Sequence, residues 1–233
     1  MKKWDDLPEF MKKEEIRPYY DILSKKKTSL FFKRVFDIIV SFLLLVILFP
    51  LILVLAIAIK IDSPGPVFYR QERVTTYGKI FRIHKFRSMY DGADKKGALV
   101  TVSNDSRVTR VGRIIRNYRL DEIAQLIDVL TGNMTFVGVR PEVVKYVKKY
   151  RPEWNATFLI PAGVTNLTSI YHKDDDDLLN GADDPDLFYV ENILPGKMIC
   201  NLKGLERFSF FGDIKIMFMT FFTVLGKEYK EEK

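Results

Sequence analysis

Asp121 and Glu122 are adjacent carboxylates at the head of an apolar repeat. Ile123, Leu126, Ile127 and Leu130 follow at i, i+3, i+4 and i+7, and Gly132 stops the pattern. An aspartate at a helix start meets exposed amides and the positive end of the dipole, which favours its ionised form. An ionised aspartate can attack phosphorus and form an acyl phosphate. Glu122 beside it could hold Mg²⁺, whose usual ligands are one or two carboxylates plus substrate phosphates. The plain alternative is a helix cap, a common place for Asp. Upstream, Arg107, Arg110, Arg113, Arg116 and Arg119 recur at every third position. Their guanidinium forks match phosphate oxygens, although a solvated or headgroup-facing side would use the same residues.

Such chemistry needs an element to position it, and the chain offers an unusual one. Residues 38–59 form an uncharged apolar run with Pro50 at its middle. Unbroken, the run would be about 33 Å long, enough for a hydrocarbon core of about 30 Å. Lys25, Lys26, Lys27, Lys33 and Arg34 precede it; Lys60, Arg70, Arg73, Lys79, Arg82, Lys85 and Arg87 follow. Both basic sets favour the cytoplasmic face. A helix that enters, breaks at Pro50 and returns satisfies both, because proline removes a donor and clashes with the preceding turn. A kinked span is the alternative, since such helices tolerate proline.

Net charge is +7 in 233 residues, which fits nucleic acid, an anionic membrane surface or a phosphorylated substrate. Nucleic acid accounts for the charge but not for the apolar run. Cys200 is the single cysteine, so no disulfide forms within the chain. The expected organisation is a basic N-terminal tail (1–28), a membrane helix (29–62) and one catalytic-sized domain (63–233). Within that domain the strand formers around residues 67–71 and 80–87 read as a hairpin joined through Gly78. Residues 91–106 read as a polar loop. Helices are expected over residues 109–117, from Asp121 to Gly132, and over 143–150. Pro161-Ala-Gly163 reads as a turn, and residues 214–225 as an interfacial or core helix. His84 reads as structural. Tyr171-His172-Lys173 with the acidic run 174–177 reads as a solvated loop rather than a metal site.

Taken together, Ser63-Pro-Gly-Pro-Val-Phe68, Gln71-Glu-Arg73, Lys85-Phe-Arg-Ser-Met89, Arg110-Val-Gly-Arg-Ile-Ile-Arg116, Leu120-Asp-Glu-Ile-Ala-Gln-Leu126 and Gly132-Asn-Met-Thr-Phe-Val-Gly-Val-Arg-Pro-Glu142 resemble the bacterial sugar transferases. These are monotopic phosphoglycosyl transferases that load the first sugar phosphate onto polyprenyl phosphate. The resemblance implies an α+β, mainly helical fold. A re-entrant helix broken at Pro50 would carry a domain on the cytoplasmic face of the bacterial inner membrane, with further helices in the interface. It implies that Asp121 attacks the β-phosphorus of a UDP-sugar and releases UMP, and that the sugar phosphate then passes to polyprenyl phosphate. Glu122, with Asp121, would engage Mg²⁺, and Arg116 and Arg140 would meet phosphate. Lys85, Arg87 and Glu142 would be neighbours of the same site.

Ala124, Val139, Thr75, Tyr77 and the Pro161-to-Asn166 stretch depart from the family pattern, which bears on the sugar more than on the reaction. Membrane lipids are expected partners, nucleic acid is not, and a homodimer is left open. The competing reading is a non-catalytic adaptor that binds anionic lipids through its basic surface.

Overall fold

The computed structural model describes residues 1–93, 105–172, 178–179 and 182–229. The acidic run 174–177 and most of the loop 91–106 lie outside the described residues. The chain is mostly helical with two small sheets. Helix α1 (Arg17–Ser24) leads into α2 (Lys27–Asp62), followed by the hairpin β1 (Phe68–Val74) and β2 (Ile80–Phe86). Next come α3 (Arg110–Asn117), a 3₁₀ turn (Leu120–Gln125), α4 (Leu126–Thr131), β3 (Met134–Val137) and α5 (Val144–Val147). A second 3₁₀ segment (Pro152–Leu159) precedes β4 (Ala162–Thr165) and α6 (Leu167–Tyr171). The described chain closes with α7 (Pro185–Phe188), a π-helical turn (Tyr189–Ile193), α8 (Leu194–Glu206) and α9 (Phe210–Val224).

The expected break at Pro50 is not a gap in the helix: α2 runs through it for 36 residues. Proline removes one bond, to the carbonyl four residues back, and leaves the ladder on either side intact. Phe42, Val46, Ile47, Phe49, Val54 and Ile57 along its length are exposed. An apolar surface this continuous needs lipid or a partner to cover it, and the helix is long and apolar enough to cross a membrane.

Both ends of α2 are nevertheless bound to the rest of the fold. Near its start, Arg34 donates to the Val129 and Leu130 carbonyls at 2.7 and 2.8 Å, beside the C-terminus of α4. Lys33 donates to the Val137 carbonyl at 2.6 Å and pairs with Asp213 of α9 at 2.5 Å. Asp37 accepts from Thr135 Oγ1 at 2.7 Å and from the Phe136 amide at 3.2 Å. At its far end, Asp62 accepts from the Val111 amide at 3.0 Å, and Arg87 donates to the Ser63 carbonyl at 2.6 Å. Two core clusters line α2 in succession. Phe36, Val40 and Leu48 pack against Phe81, Val129 and Phe136; Leu51, Leu55 and Ile59 pack against Phe86 and Ile115. Ile123, beside the carboxylate pair, touches both clusters.

Lys33 and Asp213 form an ion pair inside the fold. Lys33→Met leaves Asp213 buried and unpaired, with an expected loss of about 3–5 kcal/mol. Thermal unfolding in detergent would show a lowered midpoint, partly recovered in Lys33→Met/Asp213→Leu.

Four further expectations change. Residues 1–28, expected as a surface tail or a short amphipathic helix, include the helix α1 and are anchored rather than loose: Leu7, Met11, Ile16 and Leu23 are buried in the largest core cluster, with Trp154, Phe158, Leu194 and Met198. Each such side chain contributes about 1.5–3 kcal/mol of transfer free energy, enough to seat the segment. The stretch after Pro161 is a strand rather than a turn, pairing in parallel with β3 through Met134↔Ala162 and Val137↔Thr165. Gly163 lies so close to Gly138 that an added Cβ would fall 2.1 Å from its nitrogen. The helix expected over 143–150 keeps only the four residues of α5, and the one opening at Asp121 divides into a 3₁₀ turn and α4.

Candidate active site

Arg119 adopts a left-handed conformation, φ 53°, between α3 and the 3₁₀ turn. That residue reverses the chain so that Asp121 and Glu122 fall against β2. No side chain caps the turn at Arg119. The pair is therefore not the helix cap that the plainer reading required.

The hairpin supplies the opposing wall. Tyr69, Gln71 and Arg73 alternate along β1, and Tyr69 pairs with Lys85 across the register Tyr69↔Lys85. Lys85 Nζ stands 3.1 Å from Glu122 Oε1 and 3.8 Å from Asp121 Oδ2. Arg140 grips Glu122 through both guanidinium nitrogens, with Nη1 3.3 Å from Oε2 and Nη2 on Oε1. The hairpin is itself fixed to α4 by His84, whose backbone amide and Nδ1 each lie 2.8 Å from Asp128. Its Nε2 faces Arg70 Nη1 at 2.6 Å. An arginine only donates and a carboxylate accepts, so the ring carries its proton on Nδ1. His84 is a strut.

Beside this cluster lies a cavity of about 660 Å³. Asp121, Lys85, Arg73, Arg107 and Arg116 line it, together with the rings of Tyr69 and Tyr90. Of the expected site residues, Asp121, Lys85 and Arg116 meet this space directly, whereas Glu122 and Arg140 do not line it. Arg87 lines the cavity too, but its Nη atoms donate to the carbonyls of Ser63 and Pro64 at 2.6 and 2.9 Å. It ties the end of α2 to the site. Glu142 does not line the cavity; it accepts from Tyr189 Oη at 2.6 Å. Pro50 lies within α2, among residues that do not line the cavity.

Arg73 was not foreseen as a site residue. Its place in the hairpin that carries Lys85 is the signal that would have found it, since β1 lines the cavity from Phe68 to Arg73.

The electrostatics divide the two carboxylates. Burial alone would raise Glu122, but Arg140 and Lys85 outweigh it and hold the carboxyl well below its usual range. Burial pushes Asp121 up, against Lys85, with Glu122 adding to the rise. The shift runs opposite to the one expected from a helix start, because burial outweighs what a six-residue 3₁₀ turn offers. Burial also lowers Lys85, opposed by Glu122. Asp121 is therefore the group short of positive charge. An anion-bound cation at that position would favour its ionised form, so the dyad suits a divalent ion arriving with a diphosphate. Among the described residues no group of three or more His, Cys, Asp or Glu could hold a metal ion without a substrate.

Comparison with known proteins gives a consistent picture. The bacterial sugar transferase family matches residues 28–227. A UDP-N-acetylgalactosamine-undecaprenyl-phosphate N-acetylgalactosaminephosphotransferase of Aeromonas hydrophila is 34% identical over 201 residues, 84% of this chain and 44% of its own length. A UDP-glucose:undecaprenyl-phosphate glucose-1-phosphate transferase of Escherichia coli (strain K12) is 35% identical over 195 residues, 82% of this chain and 39% of its own. An enzyme of the same name from Caulobacter vibrioides is 34% identical over 191 residues, 81% of this chain and 67% of its own. The chain thus spans less than half the length of the first two relatives.

Proposed function

The chain belongs to the bacterial sugar transferase family, and on that premise we propose that it transfers a sugar 1-phosphate from a UDP-sugar to polyprenyl phosphate. Asp121 Oδ attacks the β-phosphorus, the bond from that phosphorus to the bridging oxygen breaks, and UMP departs with the electron pair. An oxygen of polyprenyl phosphate then attacks the same phosphorus. The aspartyl bond breaks, Asp121 is released as carboxylate, and a polyprenyl diphosphate sugar forms. Neither step needs a general base, because both nucleophiles are anions.

One observation carries this reading: Asp121, beside Lys85, opens onto a cavity whose other charged lining includes Arg73, Arg107, Arg116 and one further carboxylate, Asp91. Phosphoryl transfer is mostly positioning and charge stabilisation, and such a wall meets the charge that grows on the leaving phosphate. Glu122 is locked by Arg140 and Lys85, which keeps Lys85 within reach of Asp121. Asp121 and Glu122 would hold Mg²⁺, which supplies further neutralisation of the diphosphate when bound. The relatives' names cover glucose and N-acetylgalactosamine donors, and both fit this proposal.

The proposed membrane placement draws its support from α2. A straight helix would put Lys33 and Ser63 about 45 Å apart, yet both are bonded to the one fold. Re-entry through a bend at Pro50 keeps both basic flanks, and the site, on the cytoplasmic face of the bacterial inner membrane. The exposed Phe211, Phe218, Phe221 and Leu225 of the α9 region add an interfacial contact. A lipid acceptor then reaches the cavity without leaving the membrane surface.

The test is UMP release from a panel of UDP-sugars, with the full chain in detergent, polyprenyl phosphate and Mg²⁺. The expected result is release with one donor, dependent on Mg²⁺. A folded protein that releases no UMP from glucose, galactose or N-acetylated hexosamine donors, yet binds anionic vesicles, would favour the lipid-binding adaptor.

A further inference from the structure

Behind the cavity wall a second polar layer joins the site to the C-terminal part of the fold. Tyr189 Oη donates to Glu142 Oε1 at 2.6 Å, and Tyr146 Oη donates to Asp186 Oδ1 at 2.6 Å. Each side of this latch thus gives one tyrosine and one carboxylate, and the two rings lie 5.0 Å apart. Tyr189 is buried and opens the π-helical turn. Such turns recur at functional positions.

Glu142 is built into the backbone that holds Arg73. Arg73 Nη1 donates to the Pro141 carbonyl at 3.1 Å and Nη2 to Gln71 Oε1 at 2.7 Å. The Val74 amide donates to the Glu142 carbonyl at 3.1 Å, and Arg73 pairs with Val143 in a β-bridge. Arg73 Nε is buried with no hydrogen-bond partner among the described residues. A buried donor without a partner is destabilising, and here it belongs to a side chain that lines the cavity. If Glu142 swung onto Arg73, a direct ion pair would satisfy that donor and neutralise its charge.

We infer that Tyr189 is a positioning residue for phosphate binding: its hydroxyl holds Glu142 off Arg73, so the guanidinium charge beside the cavity is left to attract a phosphate of the nucleotide. The inference rests on the proposed reaction only for the identity of that nucleotide. Loss of the hydroxyl frees Glu142 to compete with phosphate, so the nucleotide binds less well while the chemistry at Asp121 is untouched.

The experiment compares the wild-type full chain with Tyr189→Phe, Glu142→Gln, the double variant and Tyr146→Phe. UDP affinity is measured by calorimetry, kcat and KM by UMP release, and folding by thermal midpoint. Tyr189→Phe is expected to raise the Kd for UDP and the KM about tenfold, with kcat within twofold and the midpoint within a few degrees. In the Glu142→Gln background the same change should shift Kd by less than twofold, because the carboxylate it restrains is gone. Tyr146→Phe, which loosens the latch without touching Glu142, should leave UDP affinity unchanged. The inference is overturned by an unchanged Kd in Tyr189→Phe, by an equal loss in the Glu142→Gln background, or by the same loss in Tyr146→Phe. Wild-type protein that binds UDP but releases no UMP would defeat the proposed reaction alone; the UDP measurements still decide the role of Tyr189.

Discussion

Asp121→Asn is expected to lower UMP release by about 10⁴-fold or more, the scale on which loss of a covalent nucleophile acts. The amide keeps the shape of the carboxyl but cannot attack phosphorus. The change should not cost stability. A carboxyl whose folded pKa lies above its unfolded value binds protons more tightly in the native state. Stability therefore falls as pH rises from the ordinary carboxylate value through the raised one. At neutral pH the ionised Asp121 works against folding, and the Asn variant should unfold at the same temperature as wild type or a higher one. An active site that destabilises its own fold commonly behaves this way. Steady-state UMP release and thermal unfolding on the same preparation check both halves. A variant that loses activity together with its midpoint would point to damage instead.

Lys85→Met carries the second large effect. Lys85 Nζ touches Glu122 and stands 3.8 Å from Asp121, where it is the strongest influence favouring the ionised nucleophile. Removal of one such preorganised charge is expected to cost about 10²–10³-fold in kcat. The pH profile gives the sharper readout. Wild-type activity should fall as pH drops through a value above the 3.8 usual for aspartate, because the protonated Asp121 is no nucleophile. Without Lys85 that acid limb should move to higher pH, while Arg140 still holds Glu122 ionised. An acid limb that stays in place would mean that Lys85 acts on the leaving group and not on Asp121.

Much of this architecture was legible from local signals. The apolar run, the hairpin and the carboxylate pair are each written in a few neighbouring residues. Other parts depend on contacts that no short window contains. Leu7, Met11, Ile16 and Leu23 are spaced irregularly among lysines and glutamates, so nothing in their pattern announces a core. Their burial comes from α8 and the 3₁₀ segment at Pro152–Leu159, far along the chain. The pairing of β3 with β4 is parallel and non-local, and glycine at 138 and 163 permits the close approach rather than predicting it.

At the site, residue type suggested the roles of Asp121 and Glu122, and the family resemblance that of Arg140, but neither shows which groups are bonded to one another. Arg87 reads as one more phosphate-seeking arginine until its bonds to Ser63 and Pro64 are seen. Arg73 sits in a strand whose polar alternation looks solvent-facing, because the cavity it lines is closed by a distant segment. The raised pKa of Asp121 was hidden for the same reason: burial is set by the whole fold, whereas a helix-start argument sees only four residues.

The most direct measurement is intact-protein and peptide mass spectrometry of the full chain mixed with its UDP-sugar and Mg²⁺, with polyprenyl phosphate left out. The account predicts a rapid mass gain of one sugar phosphate, mapped to the peptide containing Asp121, with an equal amount of UMP released. The adduct should be absent in Asp121→Asn and should vanish when polyprenyl phosphate is added. UMP release that begins only on addition of the lipid, with no adduct at any time, would contradict the covalent step and require direct transfer between the two substrates.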